Sequence, residues 1–173
     1  FIGTYCMNRT NAQHELNLYQ EYSFRRAHEE LASQQFNHVP ERFLINPGIE
    51  ETLAILRDIR SMPQLSVDTE TGYGQINTVG FAWSASDAIA INVLPGRCGD
   101  SAYYELWRGI AEVMEGPSRK VFQNFIYDTS YFSAYGIRSE NIHFDTMWAM
   151  KVLYPELKSN LGNVGRFYTK RIY

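Results

Sequence analysis

The segment from Leu65 to Val93 contains three stretches of strand-forming residues separated by short turns. The first stretch, 65–70, ends just before two glycines, which favour a tight turn. Apolar stretches at 75–83 and 88–93 follow it. Strands joined by turns this short pair side by side in opposite directions. The segment therefore predicts an antiparallel three-stranded meander.

Helical and strand-like segments alternate after the meander. Apolar spacing predicts three helices and two short strands, in the order 103–114, 120–122, 125–135, 142–144 and 146–153. Asn160 is typical of the residue that caps the start of one more helix. A meander followed by alternating helices and strands predicts an α/β fold, a mixed sheet with helices on both faces.

The first 45 residues differ from the rest of the chain. Residues 11–35 are polar and predict an amphipathic helix, whose modest apolar stripe is formed at roughly helical spacing by Leu16, Tyr19, Tyr22, Ala27 and Leu31. Phe43 to Ile45 predicts an edge strand. Asn46 followed by Pro47 is typical of a helix start. We predict a helical arm or interdomain linker over 1–45 and a main domain over 46–173.

Composition limits the environment and the partners of the chain. A net charge of −3 over 173 residues excludes a globally basic, histone-like nucleic-acid binder, but not an enzyme with an acidic metal site. Cys6 and Cys98 follow no metal or redox spacing, which predicts a reducing, intracellular environment. The sequence contains no apolar run long enough for a transmembrane helix, so we expect no membrane partner.

Asp68 and Glu70 lie two residues apart near the end of the first predicted strand. Side chains at this spacing point to the same face, so two like charges are held close together. Carboxylate oxygens suit Mg²⁺ or Mn²⁺. Two acids that simply face water at a strand end give the same pattern, and both interpretations remain open from this pair alone.

Asn124 and Asp128 lie four residues apart at the start of a predicted helix, and therefore share one face. Taken alone, they are typical of a helix cap followed by an acid that the helix dipole favours. The order of the elements is more informative, because it places Asp68, Glu70 and Asp128 near one end of a single sheet.

Four segments resemble a known family. Ser66–Thr71 and Gln123–Asp128 are similar to the first and second motifs of the DEDD 3′-5′ exonucleases. Phe144–Met147 and 161–168 resemble the strand-to-helix junction and the next helix in the proofreading domains of family A DNA polymerases, phage-like or bacterial. The resemblance covers about residues 65–168 and implies a ribonuclease H-like fold.

The resemblance also implies a catalytic site that holds two Mg²⁺ or Mn²⁺ ions about 4 Å apart. Asp68 would bridge both ions, Glu70 would bind the ion that activates the attacking water, and Asp128 would hold the second ion. The substrate would be the single-stranded 3′ end of DNA, released as nucleoside 5′-monophosphates. The residues expected to contact this substrate are Thr69, Asn124 and Tyr127.

The fourth carboxylate of the family is not found in this sequence. Tyr168 is followed by Ile172 where the family motif has an acid. Asp145 is interpreted as a helix cap, because Thr146 begins a predicted helix. We therefore expect either that the exonuclease domain is cut before its third motif, with a polymerase domain following, or that it is degenerate. In both cases we expect the chain alone to be weakly active or inactive.

Two alternative functions remain. One is a stand-alone exonuclease like the RNase D group. The other is a non-catalytic scaffold of the same fold that binds nucleic acid or a protein partner. For an enzyme of the resembling family, the expected location is the cytoplasm of a bacterium or of a phage-infected cell.

Overall fold

A computed structural model of the chain describes residues 12–32 and 40–169. The described residues fall into two compact units, one drawn from 1–38 and 150–173 and the other from 39–149. The predicted domain boundary after residue 45 stays a prediction. None of the helices in the described ranges is long and apolar enough to cross a membrane.

The larger unit is built on one six-stranded sheet. Its strands are β1 Arg42–Ile45, β2 Gln64–Gly72, β3 Gln75–Ala82, β4 Asp87–Asn92, β5 Arg119–Phe122 and β6 Ile142–Asp145. They lie in the order β1-β4-β3-β2-β5-β6. The predicted meander is confirmed, since β2, β3 and β4 pair antiparallel. The predicted edge strand is β1, which pairs parallel with β4, and β2, β5 and β6 run parallel to one another.

Residues 12–32 and 40–169 form six helices. They are α1 Ala12–Ala32, α2 Ile49–Ile59, α3 Asp100–Met114, α4 Phe125–Ala134, α5 Thr146–Leu153 and α6 Leu161–Tyr168. The sheet with its flanking helices confirms the predicted mixed α/β fold.

The core of the larger unit lies between one face of the sheet and the helices α2 and α3. Leu65 and Val67 of β2 are buried against Leu56 of α2 and Ile110 of α3. A side chain at Gly109 would come within 3.1 Å of Leu56, so this glycine lets the two helices approach closely. Because side chains alternate along a strand, the residues between the buried ones of β2 face the other way.

The predicted helix start at Asn46 and Pro47 is wrong. Asn46 adopts a positive φ of 50°. Its N–H still donates to Ala90 of β4, at 2.8 Å, so the strand pairing carries the chain past Asn46. Helix α2 begins only at Ile49, after Gly48 in the N-cap position.

The smaller unit contains α1 and α6. The side chain of Asn160 accepts the N–H of Asn163 at 2.9 Å, which confirms the predicted cap of α6. The ring of Phe167 lies 5.4 Å from that of Tyr19 and 4.9 Å from that of Tyr22. The apolar stripe predicted for α1 does not extend to Leu31, which is 83% exposed.

Candidate functional site

The candidate site lies where the parallel strands β2, β5 and β6 end. In open sheets, ligands bind at the carboxyl ends of parallel strands. The last paired position between β2 and β5 is Ser66 with Val121, and β2 then continues past the end of β5. Asp68 and Glu70 belong to this extension and are exposed on the same face. The predicted shared face of the two acids is confirmed.

Asp128 reaches this strand from the first turns of α4. It is only 2% exposed. Its Oδ1 accepts the backbone N–H of Thr69 at 2.9 Å and the hydroxyl of Thr69 at 2.7 Å. Thr69 is the residue between Asp68 and Glu70, so these two hydrogen bonds fix α4 directly to the acidic strand.

The surroundings of Asp68 and Asp128 raise the pKa of both carboxyl groups. Although Asp68 is exposed on the sheet face, partial burial of its carboxyl raises its pKa, and the nearby charge of Glu70 raises it further. Burial also raises the pKa of Asp128, and the charge of Asp68 adds to this, while the hydrogen bond from the Thr69 side chain opposes it. The structure therefore brings together the three acids that the sequence singled out.

The donors fit a hard divalent cation in chemical type. Glu70 raises the pKa of Asp68, and Asp68 raises that of Asp128, so the acids form a locally negative group that a cation would stabilise. Their arrangement fits less well, because the described residues contain no group of three or more His, Cys, Asp or Glu side chains placed to hold a metal ion. One oxygen of Asp128 is already used by Thr69. Metal binding by these residues therefore stays a prediction.

The three predicted substrate-contact residues lie around the same strand end. Thr69 is 7% exposed, and its hydroxyl is bound to Asp128, so it positions that acid. Tyr127 is 44% exposed, and its hydroxyl lies within hydrogen-bond distance of Thr71 Oγ1. Asn124 precedes α4 with a positive φ of 70°. Contact with a substrate stays a prediction for all three.

Asp145 does more at this edge than the sequence predicted. Its Oδ1 accepts the N–H of Trp148 at 3.0 Å, which confirms it as the cap of α5. Its Oδ2 accepts the N–H of Phe125 at 2.6 Å, at the start of α4. The second contact crosses between two strand ends, and spacing along the sequence carries no signal for it.

A family model described as 3′-5′ exonuclease matches residues 48–171. The match covers more than half of the chain. The chain therefore belongs to the DEDD 3′-5′ exonuclease family, as the two motifs around Asp68 and Asp128 predicted. None of the curated proteins compared with the chain matches it by sequence.

Solved structures share the fold. The POL domain of Pol1 from M. smegmatis, in complex with DNA primer-template and dNTP, has a TM-score of 0.59 at 14% identity, over 76% of this chain and 23% of that chain. The catalytic core of RRP6 from Trypanosoma brucei has a TM-score of 0.57 at 16% identity, over 79% and 37%. NrnC from Brucella melitensis, with bound Mg²⁺, has a TM-score of 0.54 at 15% identity, over 78% and 64%.

These similarities confirm the ribonuclease H-like fold. The identities of 14–16% are too low to carry more than the fold. The chain spans about a quarter of the Pol1 chain and less than two thirds of each of the other two.

Proposed function

We propose that the chain is the 3′-5′ exonuclease domain of a DNA polymerase of family A and removes 3′-terminal nucleotides as 5′-monophosphates. One observation carries this proposal: Asp128 is bound to Thr69, the residue between two further acids, so three carboxylates share one strand end. A fold has no structural need for such a group, because like charges held together oppose folding.

In the proposed mechanism, Asp68, Glu70 and Asp128 would hold two Mg²⁺ or Mn²⁺ ions. Bound ions of this kind activate a water molecule and stabilise the leaving 3′ oxygen in phosphodiester hydrolysis. Thr69 keeps the Asp128 carboxylate in place through its N–H and its hydroxyl. Tyr127, which is partly exposed at the same edge, is the aromatic side chain that would contact a base near the 3′ end.

The polymerase context rests on two supports. The segments around Asp145 and 161–168 resemble those of family A proofreading domains, and the Pol1 structure shares the fold. RRP6 and NrnC share the fold to a similar degree, so a stand-alone exonuclease that acts on RNA or DNA is the second candidate. In the polymerase context the protein would act in the cytoplasm.

The first experiment measures Mn²⁺ binding by electron paramagnetic resonance, in the wild type, Asp68→Asn and Asp58→Asn. Asp58 is an exposed acid of α2 and gives a matched control for the lost charge. We expect Asp68→Asn to weaken Mn²⁺ binding by at least about tenfold, and Asp58→Asn to change it by less than about twofold. Equal affinity in all three proteins would contradict the proposal and favour the non-catalytic scaffold.

The second experiment follows hydrolysis of 5′-labelled single-stranded DNA and RNA of the same sequence. We expect slow, Mn²⁺-dependent shortening of DNA from the 3′ end that Asp68→Asn abolishes. Preferred shortening of the RNA would favour the stand-alone alternative. Fast degradation would contradict the expectation that this chain is weakly active without a fourth carboxylate.

A further inference from the structure

The start of helix α4 is capped from another part of the chain. Asn124 occupies the N-cap position in a left-handed conformation, with φ 70° and ψ 58°, and within residues 40–169 its side chain makes no capping hydrogen bond. The first N–H groups of a helix need partners from outside the helix. The N–H of Phe125 has one in Asp145 Oδ2, at 2.6 Å.

The same carboxylate also caps α5. Asp145 Oδ1 accepts the N–H of Trp148 in the first turn of that helix, at 3.0 Å. Asp145 is the last residue of β6 and pairs with Phe122, the last residue of β5. The hydroxyl of Thr146 adds a further link, to the carbonyl oxygen of Phe122 at 3.2 Å. The Asp145 side chain thus joins the starts of two helices, at the point where two neighbouring strands end.

Helix α4 carries Asp128 one turn after Phe125. The two hydrogen bonds from Thr69 to Asp128 are 2.7 and 2.9 Å long. Hydrogen bonds weaken steeply when their distance and angle depart from these values, so a shift of about 1 Å at the helix start would disturb both. The position of Asp128 therefore depends on what holds the start of α4.

We infer that Asp145 is a positioning residue: by holding the Phe125 N–H it fixes the start of α4, and it thereby places the Asp128 carboxylate against Thr69 and beside Asp68. A residue that only caps two helices would contribute to stability alone. The effect on metal binding rests on the proposed function, whereas the placement of Asp128 can be measured without it.

The test compares Asp145→Ala and Asp145→Asn with the control Asn160→Ala. Asn160 caps α6 through one side-chain hydrogen bond of 2.9 Å. Helix α6 has eight residues, as does α5, and it contains none of the three acids. Asn160→Ala therefore removes a helix cap without touching α4.

The main readout is the Thr69 amide in the metal-free protein, followed by NMR. In Asp145→Ala we expect its proton signal to move upfield and its hydrogen-exchange protection to fall by about tenfold, the size of a lost cap. Asn160→Ala should leave this amide unchanged while lowering the urea midpoint. Asp145→Asn keeps a single acceptor oxygen. We therefore expect its urea midpoint to lie between those of Asp145→Ala and the wild type, while the chemical shift of the Thr69 amide does not return fully to the wild-type value.

The second readout is Mn²⁺ affinity. We expect a loss of about 10- to 100-fold in Asp145→Ala, as for partners that orient metal ligands, and a change of less than about twofold in Asn160→Ala. If both Asp145 variants lower the urea midpoint but leave the Thr69 amide unchanged, Asp145 is a helix cap only and the inference is wrong. If Asp145→Ala does not fold, the Thr69 amide in Asp145→Asn decides in the same way.

Failure of the proposed function would look different. In that case the wild type and Asp68→Asn would bind Mn²⁺ equally poorly, while the Thr69 amide would still respond to Asp145→Ala. That result would still support Asp145 as the residue that positions Asp128. It would contradict only the proposal that the positioned carboxylate binds a metal ion.

Discussion

Asp128 and Lys120 are both buried in the larger unit, at 2% and 0% exposure, but their surroundings differ. Lys120 lies near the start of β5, and its Nζ donates to the carbonyl oxygen of Gly116 at 2.6 Å. Gly116 follows the C-terminal end of α3, where the helix dipole is negative. Asp128 lies beyond the other end of β5, beside the carboxylate of Asp68.

The two environments shift the pKa values in opposite senses. Burial lowers the pKa of Lys120, and the negative charge of Glu140 partly offsets this. Burial raises the pKa of Asp128, and the negative charge of Asp68 raises it further. The lysine therefore has a partner of complementary charge, whereas the aspartate has a neighbour of like charge. Burial therefore disfavours the charged form at both positions, but a neighbouring charge partly offsets this cost at Lys120 and adds to it at Asp128.

The largest expected effect comes from reversing the charge of Lys120. Lys120→Glu would place a carboxylate against the Gly116 carbonyl and near Glu140, without a positive partner. We expect the free energy of unfolding, measured by urea denaturation, to fall by about 3–5 kcal/mol. The control is Arg119→Glu at the exposed neighbouring position, with an expected change of less than about 0.5 kcal/mol. Equal losses at the two positions would show that the burial of Lys120 has no electrostatic consequence.

Substitutions of Asp128 should change the free energy of unfolding less than Lys120→Glu does. The size of the change should depend on whether the new side chain can still accept a hydrogen bond. Asp128→Ala leaves the N–H and the hydroxyl of Thr69 without their acceptor, so the free energy of unfolding should fall by about 1–3 kcal/mol. Asp128→Asn keeps an acceptor oxygen and removes the repulsion from Asp68, so in the metal-free protein we expect no loss or a small gain. Urea denaturation of both variants checks this. A loss in Asp128→Asn as large as in Asp128→Ala would mean that the negative charge itself stabilises the fold.

Local pattern was sufficient to predict most of the fold and the acids of the candidate site. Alternation along β2 places Asp68 and Glu70 on one face whatever the sheet packs against, and this alternation is visible in the sequence. Helix caps can also be predicted from neighbouring residues. Asn160, for example, caps α6 through the N–H of Asn163, three residues further along the chain. These features depend on residues within a few positions of one another, and such patterns can be recognised in a single chain.

The features that could not be predicted depend on partners distant in sequence. The hydrogen bond from the Asn46 N–H to the Ala90 carbonyl oxygen, just past the end of β1, precedes a start of α2 only at Ile49. Asp145 lies 20 residues from Phe125, and Thr69 lies 59 residues from Asp128. Each of these contacts exists only after the strands have paired, so no local spacing encodes it. The same holds for Lys120. Nothing in the strand pattern around it indicates that its ammonium group will meet the carbonyl oxygen of Gly116, after the end of α3.

The positive charge of Lys120 is expected to contribute little to the stability of the fold. Lys120→Met removes the charge but keeps a side chain of similar length, and the Gly116 carbonyl keeps the Asn141 side chain as a donor at 3.1 Å. Replacing a buried charge by an apolar group of similar volume is often close to neutral. We expect the free energy of unfolding in urea to change by less than about 1 kcal/mol. A loss close to that of Lys120→Glu would instead identify the ammonium group as essential to the fold.

The smallest effect is a dependence on pH. The pKa of Lys120 in the folded protein lies below its ordinary value of 10.5. Between the two values the unfolded chain binds more protons than the folded one, so the Lys120 contribution to stability increases as the pH rises toward 10.5. Lys120→Met lacks this contribution, and other groups titrate alike in both proteins. The free energy of unfolding of the wild type relative to Lys120→Met should therefore rise with pH in this range, and parallel urea curves would show that burial does not disfavour the charged lysine.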